Sequence, residues 1–424
     1  MAIQPWFEQA KLGIFLHYGI YAVNGIAESW SFFNGEISHE DYLEQLDGFT
    51  AARFDADAWA ELFEAAGARY AVLTSKHHDG VALYDTAAND LSTVKSTPAR
   101  RDIVSEYVEA LRRHGLKVGL YFSHLDWTHP DYASVRPAGM PADERGNPFA
   151  VPAAGAEDPE RWERFLAFHR TQLTEIIDRF APDLLWFDGD WERDPEQWRM
   201  DEVRDLIAAK LPRTVVNGRM RGGFGDYATP EQGVPIVPPT GPWELCVTIN
   251  DSWGFQHDDH HYKSVRQLIR LFAETIGGGG NLLLDVGPRE DGSIPEEQVE
   301  RLRELGDWIR RHERAVFGTT RGLPNGAFYG ASTVSADRRK VYLFGFDRPN
   351  EYFVVRGVRN KVLKATIVGS GVELRIDRQG GGIEGAAGWT YLYVDSETAL
   401  DRDCTVVELQ LDGELDLAEH HTRD

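Results

Sequence analysis

Only two cysteines, Cys246 and Cys404, stand in the 424 residues, and they lie far apart in the chain. Such usage excludes a disulfide framework. Basic residues are in the minority: 45 Lys and Arg face 68 Asp and Glu, a net charge of -23. A surface of that sign repels nucleic acid and anionic membranes and leaves a small or neutral ligand. No apolar run reaches the length of a membrane span. The opening MAIQPWFEQAKLG has no basic segment leading into an apolar core, so no signal peptide is visible and a cytoplasmic protein is expected. Signatures of several enzyme classes are missing too. There is no G-x-S-x-G nucleophile elbow and no His-Glu-x-x-His helix. The Gly277–Gly280 run precedes a strand-like segment instead of following one. It therefore reads as a tight helix-to-strand turn and not as a phosphate loop.

What is present is a globular composition, 42% hydrophobic, with 12 Trp that lean toward carbohydrate. The length suits one large domain and a smaller one. Strand-like runs at Leu12–His17, Tyr70–Thr74, Lys117–Ser123, Asp183–Asp188, Thr214–Asn217, Glu244–Ile249 and Asn281–Val286 alternate with helical patterns. The helical patterns are Ala56–Ala66, Ile103–His114, Pro159–Phe180, Pro195–Lys210, Ser264–Ile276 and Pro295–Glu313. Alternation of this kind means parallel strands with crossover helices. Seven such strands predict an α/β fold of (β/α)8-like barrel type. After Thr319–Gly322 the segments Val341–Gly345, Tyr352–Val355, Val362–Val368, Val372–Ile376, Tyr391–Val394 and Cys404–Leu409 are short and β-rich. They predict a C-terminal antiparallel β-sandwich. The division expected is a catalytic domain over residues 1–320 and a sandwich over 321–424.

The run Pro182–Trp191 is apolar until it stops at carboxylates and tryptophans. A buried parallel strand reads this way, with its chemistry at the C-terminal end. Alternation puts Trp186 and Asp188 on one face, a ring beside a carboxylate. That pairing suits sugar cleavage, in which the ring covers an apolar sugar face and the carboxylate meets the anomeric carbon. The other strand ends add His17, His77, His78, Tyr121 and Arg219, with Glu231 and Glu244 on neighbouring segments. Together they can hold a polyhydroxylated ligand. The group His17, His77, His78 and Asp79 also raises a metal-site reading, but adjacent residues on a strand point apart. His257, His260 and His261 near Asp258 and Asp259 read as a solvated loop. No metal and no cofactor is expected.

With these residues assembled, the chain resembles glycoside hydrolase family 29, the retaining α-L-fucosidases. The landmarks are Lys11–Gly19, Thr74–Gly80, Gly119–Ser123, Trp186–Trp191, Trp243-Glu244 with Asp251-Ser252-Trp253-Gly254, and Gly280–Pro288. The resemblance implies a barrel followed by a sandwich and a fucosylated oligosaccharide or glycoside as substrate. It implies Asp188 as nucleophile, with His17, His77, His78, Tyr121 and Arg219 on the fucose hydroxyls. Trp186 would meet the C5 methyl or ring face. Glu28 resembles a sugar-binding Glu of the family, but many members place Trp directly after it. Here Ser29 intervenes before Trp30. Tyr18 and Phe122 stand where Trp and Tyr are frequent in the family, which the resemblance connects with aglycone preference. For the general acid/base, Glu231 is favoured over Glu244. A loop residue can swing over a leaving group, whereas the N-terminal end of a barrel strand faces away from the mouth. The Thr229-Pro230-Glu231-Gln232 context also resembles the family's acid/base loop. Two alternatives remain: a degenerate fucose-binding protein on the same scaffold, and a metal-dependent barrel hydrolase using His17, His77 and His78.

Overall fold

Seven parallel strands, buried along nearly their whole length, organise the first three quarters of the chain. They are β1 (Leu12–Leu16), β2 (Tyr70–Lys76), β3 (Lys117–Ser123), β4 (Leu184–Asp188), β5 (Val215–Val216), β6 (Glu244–Thr248) and β7 (Asn281–Val286). A computed structural model describes residues 3–132, 158–381 and 387–418. The strand ends lie within two residues of those expected from the apolar runs. The sheet order is β5-β4-β3-β2-β1-β7-β6, every pair parallel.

Strands β5 and β6 do not pair with each other. Residues 226–232 run between them and stitch the seam. The Asp226 N–H donates to the Val216 carbonyl at 2.8 Å, and Tyr227 bridges Asn217 in parallel. On the other side the Glu244 N–H donates to Ala228, the Cys246 N–H to Pro230 and the Gln232 N–H to Cys246, at 2.9, 3.2 and 2.9 Å. This segment is an irregular eighth member that curls the sheet into a barrel. Pro230 has no N–H to give, so a regular ladder cannot form through it. The free loop expected around Glu231 is thus corrected: its backbone is part of the barrel wall.

The barrel interior is filled by aromatic and aliphatic side chains, among them Phe15, Tyr70, Val72, Tyr121, Trp186, Tyr227 and Leu283. Phe7, on the first helix Pro5–Ala10, plugs the lower end against Tyr227 (ring centroids 4.4 Å apart). Outside, the helix Ile103–Arg113 packs on β2 and β3, and Val265–Gly277 on β7. Both start as the sequence suggests: Asp102 accepts from the Ser105 N–H at 2.9 Å, and Ser264 with Gln267 forms a capping box. The expected helix Pro195–Lys210 is broken. Arg199 takes φ 51° and divides it into Pro195–Trp198 and Met200–Lys210. The glycine run after Val265–Gly277 is the expected turn. Its absence of side chains admits the Trp243 indole, which a Cβ at Gly278 or Gly280 would meet at 2.9 or 2.5 Å.

The remaining strands form two antiparallel sheets. One holds β8 (Thr319–Arg321), β9 (Ala331–Ser335), β10 (Lys340–Gly345), β12 (Val362–Ile367) and β15 (Thr405–Leu411) in the order β12-β15-β10-β9-β8. The other is β11 (Tyr352–Arg356), β14 (Trp389–Tyr393) and β13 (Arg375–Gln379), in that order. Their facing side chains, including Val341, Leu343, Phe353, Leu392 and Leu409, make a separate apolar core. Strands β8 and β9 were not expected, and β13 falls later than the run Val372–Ile376. Val372 sits in the turn after β12, where its carbonyl accepts from the Ile367 N–H at 2.8 Å. The sandwich meets the barrel through the helix Glu296–Arg311, whose Trp308 indole N–H donates to the Cys404 carbonyl at 3.0 Å.

That helix lies close to Ala56–Ala65 because Gly306 has no side chain: a Cβ there would collide with the Ala65 carbonyl oxygen and the Ala66 Cα. Gly306→Ala is therefore expected to destabilise the fold by about 1–3 kcal/mol, as overpacking does, read as a lowered denaturation midpoint with an unchanged slope.

Candidate active site

Strand C-termini converge at one mouth of the barrel and close around a cavity of about 270 Å³, room for one sugar ring. Its walls are His17 after β1, His77 after β2, Tyr121 on β3, Trp186 and Asp188 on β4, Arg219 after β5, and Glu231 on the seam. Glu28, Trp30, Trp191, Trp253, Phe15 and Cys246 complete them. Of the residues implicated in catalysis or sugar binding, all line this cavity except Glu244, which lies beneath it, and His78. That ring is buried behind the wall with its Nε2 3.8 Å from an Asp188 oxygen.

Arg219 ties the two expected catalytic carboxylates together. Its Nη1 donates to Asp188 Oδ1 at 2.9 Å, and its Nη2 donates to Glu231 Oε2. The guanidinium carbon lies 4.7 Å from the Trp186 ring centroid, a cation–π contact in a desolvated place. Burial opposes this charge, but Asp188 and Glu231 raise the Arg219 pKa beyond its ordinary value. The second oxygen of Asp188 accepts from the Tyr121 hydroxyl at 3.1 Å. Asp188 is 8% exposed, whereas the Glu231 side chain is 39% exposed at the rim. One carboxylate therefore sits deep and the other at the entrance.

The histidines are held as neutral hydrogen-bonding groups. Burial lowers the pKa of His77 to about 4, and burial with His77 nearby lowers His17 and His78 as well. Each ring has its Nδ1 engaged by a different partner: His17 by Asp285 at 2.7 Å, His77 by Ser29 at 2.7 Å and His78 by Ser123 at 2.6 Å. They are oriented one by one and not gathered as ligands of one ion. Among the described residues the group of metal-ligating type that comes together is Asp251, Asp259 and His261, on the loop read as solvated.

Glu244 lies beneath Trp186, fully buried. It accepts from the Trp186 indole at 2.9 Å, from the Tyr227 hydroxyl at 3.1 Å and from the Tyr70 hydroxyl. Burial pushes it up to about 7 against these donors. It does not reach the cavity; it fixes the ring that does. Glu28 faces the cavity and accepts from the Gly254 N–H at 2.6 Å, and burial raises its pKa.

Two sequence expectations are corrected here. Tyr18 packs away from the mouth among Phe49, Phe54 and Trp59, and Phe122 lies on the outer face of β3 beside His169. Neither side chain can touch an aglycone, because alternation along a strand sends Tyr121 inward and Phe122 outward. Several site residues went unassigned in the sequence. Asp285 lies one residue before the end of an apolar strand, and strand parity marks Phe15 with His17 and Cys246 with Glu244. Ser29 and Ser123 gave no signal beyond their proximity to singled-out residues.

The chain matches the family model of alpha-L-fucosidase over residues 1–314. An alpha-L-fucosidase of Dictyostelium discoideum is 28% identical, across 88% of this chain and 85% of that protein. A plasma alpha-L-fucosidase of Rattus norvegicus is 31% identical, across 75% of this chain and 71% of its own. Among solved structures, alpha-L-fucosidase isoenzyme 1 from Paenibacillus thiaminolyticus superposes with a TM-score of 0.84 at 31% identity, covering 96% and 98% of the two chains. The barrel and the sandwich behind it agree with these matches: the chain belongs to the α-L-fucosidase family, the retaining glycoside hydrolases of family 29.

Proposed function

We propose that this α-L-fucosidase releases non-reducing terminal fucose from glycosides and oligosaccharides with Asp188 as nucleophile and Glu231 as general acid/base. The observation that carries the assignment is Arg219, which holds one oxygen of each carboxylate at the same small cavity. In the first step an Asp188 oxygen bonds to the anomeric carbon as the bond to the leaving oxygen breaks, and Glu231 gives its proton to that oxygen. In the second, Glu231 takes a proton from water, the water oxygen bonds to the anomeric carbon, and the bond to Asp188 breaks. Two displacements retain configuration, and the family geometry sets the carboxyl groups about 5–5.5 Å apart.

The depth of each group suits its role. Asp188 meets the ring in the cavity, while exposed Glu231 stands where the aglycone leaves. The sugar binders would be His17, Glu28, His77, Tyr121 and Arg219, with Trp186 and Trp30 as ring surfaces and His78 placed behind Asp188. Neither the degenerate binding protein nor the metal-dependent hydrolase gains support from the family match. Two buried unpaired thiols suit a reducing compartment such as the cytoplasm. Among the described residues no helix is long and apolar enough to cross a membrane.

Asp188→Ala is expected to cut turnover of an aryl α-L-fucoside by roughly 10⁴-fold or more, with azide restoring turnover as the inverted fucosyl azide. Near-normal turnover in this variant sinks the nucleophile assignment. Glu231→Ala is expected to lose about 10²–10⁴-fold on substrates with poor leaving groups and far less on activated aryl fucosides. Azide then restores the second step with net retention. A uniform loss across leaving groups argues against Glu231 as proton donor.

Glu244→Gln is expected to leave the leaving-group dependence unaltered and to change stability instead. In the folded protein Glu244 is raised to about 7 from 4.5. The folded state thus binds the proton more tightly, and stability is lost as the pH rises from about 4.5 to 7. Denaturation curves of Glu244→Gln should show a shallower decline across that window than those of the parent protein. An identical decline removes Glu244 as its source.

A further inference from the structure

We infer that Ser29 locks the His77 ring in its Nε2–H form, so that His77 presents a hydrogen-bond donor to the sugar, while Ser123 holds the buried neighbour His78 in the opposite, Nδ1–H form. The fucosidase reading supplies the identity of the sugar; the protonation pattern stands on the protein's own hydrogen bonds.

Ser29 is fully buried and precedes the short helix Trp30–Phe33 at the position where a serine ordinarily caps. It does not cap. Its side chain takes no hydrogen bond from the helix, and its Oγ lies 2.7 Å from His77 Nδ1. Among the described residues this is its side chain's one hydrogen-bond partner. A hydroxyl carries one proton and two lone pairs. Were His77 Nδ1 the donor, the Ser29 proton would be buried with no acceptor, which is the costlier arrangement. Ser29 therefore donates, and Nδ1 accepts. Burial holds His77 at about 4, so the ring is neutral at ordinary pH. A neutral imidazole has a single N–H, and here it falls on Nε2. Tyr121 stacks on the ring 5.6 Å away with planes 7° apart, and this fixes the direction of that N–H.

His78 is held by a serine as well, with the opposite result. The Ser123 hydroxyl donates to the Leu125 carbonyl at 3.0 Å, so its oxygen is left to accept from His78 Nδ1 at 2.6 Å. His78 Nε2 then carries the lone pair, 3.8 Å from Asp188 Oδ2. Two identical adjacent side chains are made unlike by what each serine does with its one proton. Ser29, the residue between Glu28 and Trp30, is thus a positioning residue for sugar recognition through His77.

The test is ¹⁵N NMR of the full chain labelled at its 14 histidines, without substrate, where protonated and unprotonated ring nitrogens resonate in separate ranges. His77→Gln and His78→Gln assign the two rings. His77 is expected with Nε2 protonated and His78 with Nδ1 protonated. In Ser29→Ala the His77 nitrogens should move toward a tautomer mixture while those of His78 stay. KM for an aryl α-L-fucoside should then rise about tenfold, the worth of one hydrogen bond, with kcat within about twofold because ground-state and transition-state binding weaken alike. Ser29→Thr, which keeps the hydroxyl, should restore both the spectrum and KM. An Nδ1–H His77 in the parent protein overturns the inference, as do unchanged His77 resonances in Ser29→Ala. Lack of turnover on any fucoside would count against the fucosidase reading alone, since the NMR pattern needs no substrate.

Discussion

A single guanidinium between two carboxylates governs the site. Arg219 faces Asp188 and Glu231 at once and rests on the Trp186 ring. In a chain of net charge -23, a half-buried pair of carboxylates at one cavity repels itself unless a cation stands between its members. Arginine suits the task better than lysine, because its planar fork offers separate donors in fixed directions and stays charged when desolvated. The cation also needs a floor. Trp186 supplies it, and Trp186 is held in turn by Glu244, which Tyr70 and Tyr227 clamp from inside the barrel. The chemistry at the mouth thus hangs on a column of side chains that reaches down toward the plug at Phe7.

The deeper layer explains why so many ionisable groups are tolerated here. His17, His77 and His78 are kept neutral by burial, and each has one nitrogen satisfied by the protein. Beside these neutral rings stand the charges of Asp188, Arg219 and Glu231. Neutral, directional donors and acceptors of this kind suit the recognition of hydroxyl groups.

The β/α alternation was legible because buried parallel strands read as unbroken apolar runs, and Leu12–Leu16, Leu184–Asp188 and Asn281–Val286 do so. Asp188 was legible because it ends such a run beside tryptophans. The eighth barrel segment was hidden: Tyr227–Gln232 includes Pro230 and has neither period 2 nor an apolar run, and only the gap between β5 and β6 gives it a place. Strands β8 and β9 were missed because Thr319–Arg321 and Ala331–Ser335 are short and polar. Serine partners stayed silent for a general reason. A serine serves by the direction of one proton, and direction is a property of packing that a string of residues does not carry. Tyr18 and Phe122 misled because family resemblance marks positions, whereas strand parity decides which of them face the cavity.

The seam that closes the barrel has a consequence for how the enzyme ages under stress. Elsewhere the wall is a continuous ladder; between β5 and β6 it depends on a handful of separate bonds around Pro230. Arg219 and Glu231 stand on opposite lips of that seam. Regions with few backbone bonds open before the rest of a fold lets go. Heat or mild denaturant would therefore part Arg219 from Glu231 while the seven-stranded remainder still holds, so that inactivation runs ahead of unfolding and the lost activity returns on cooling.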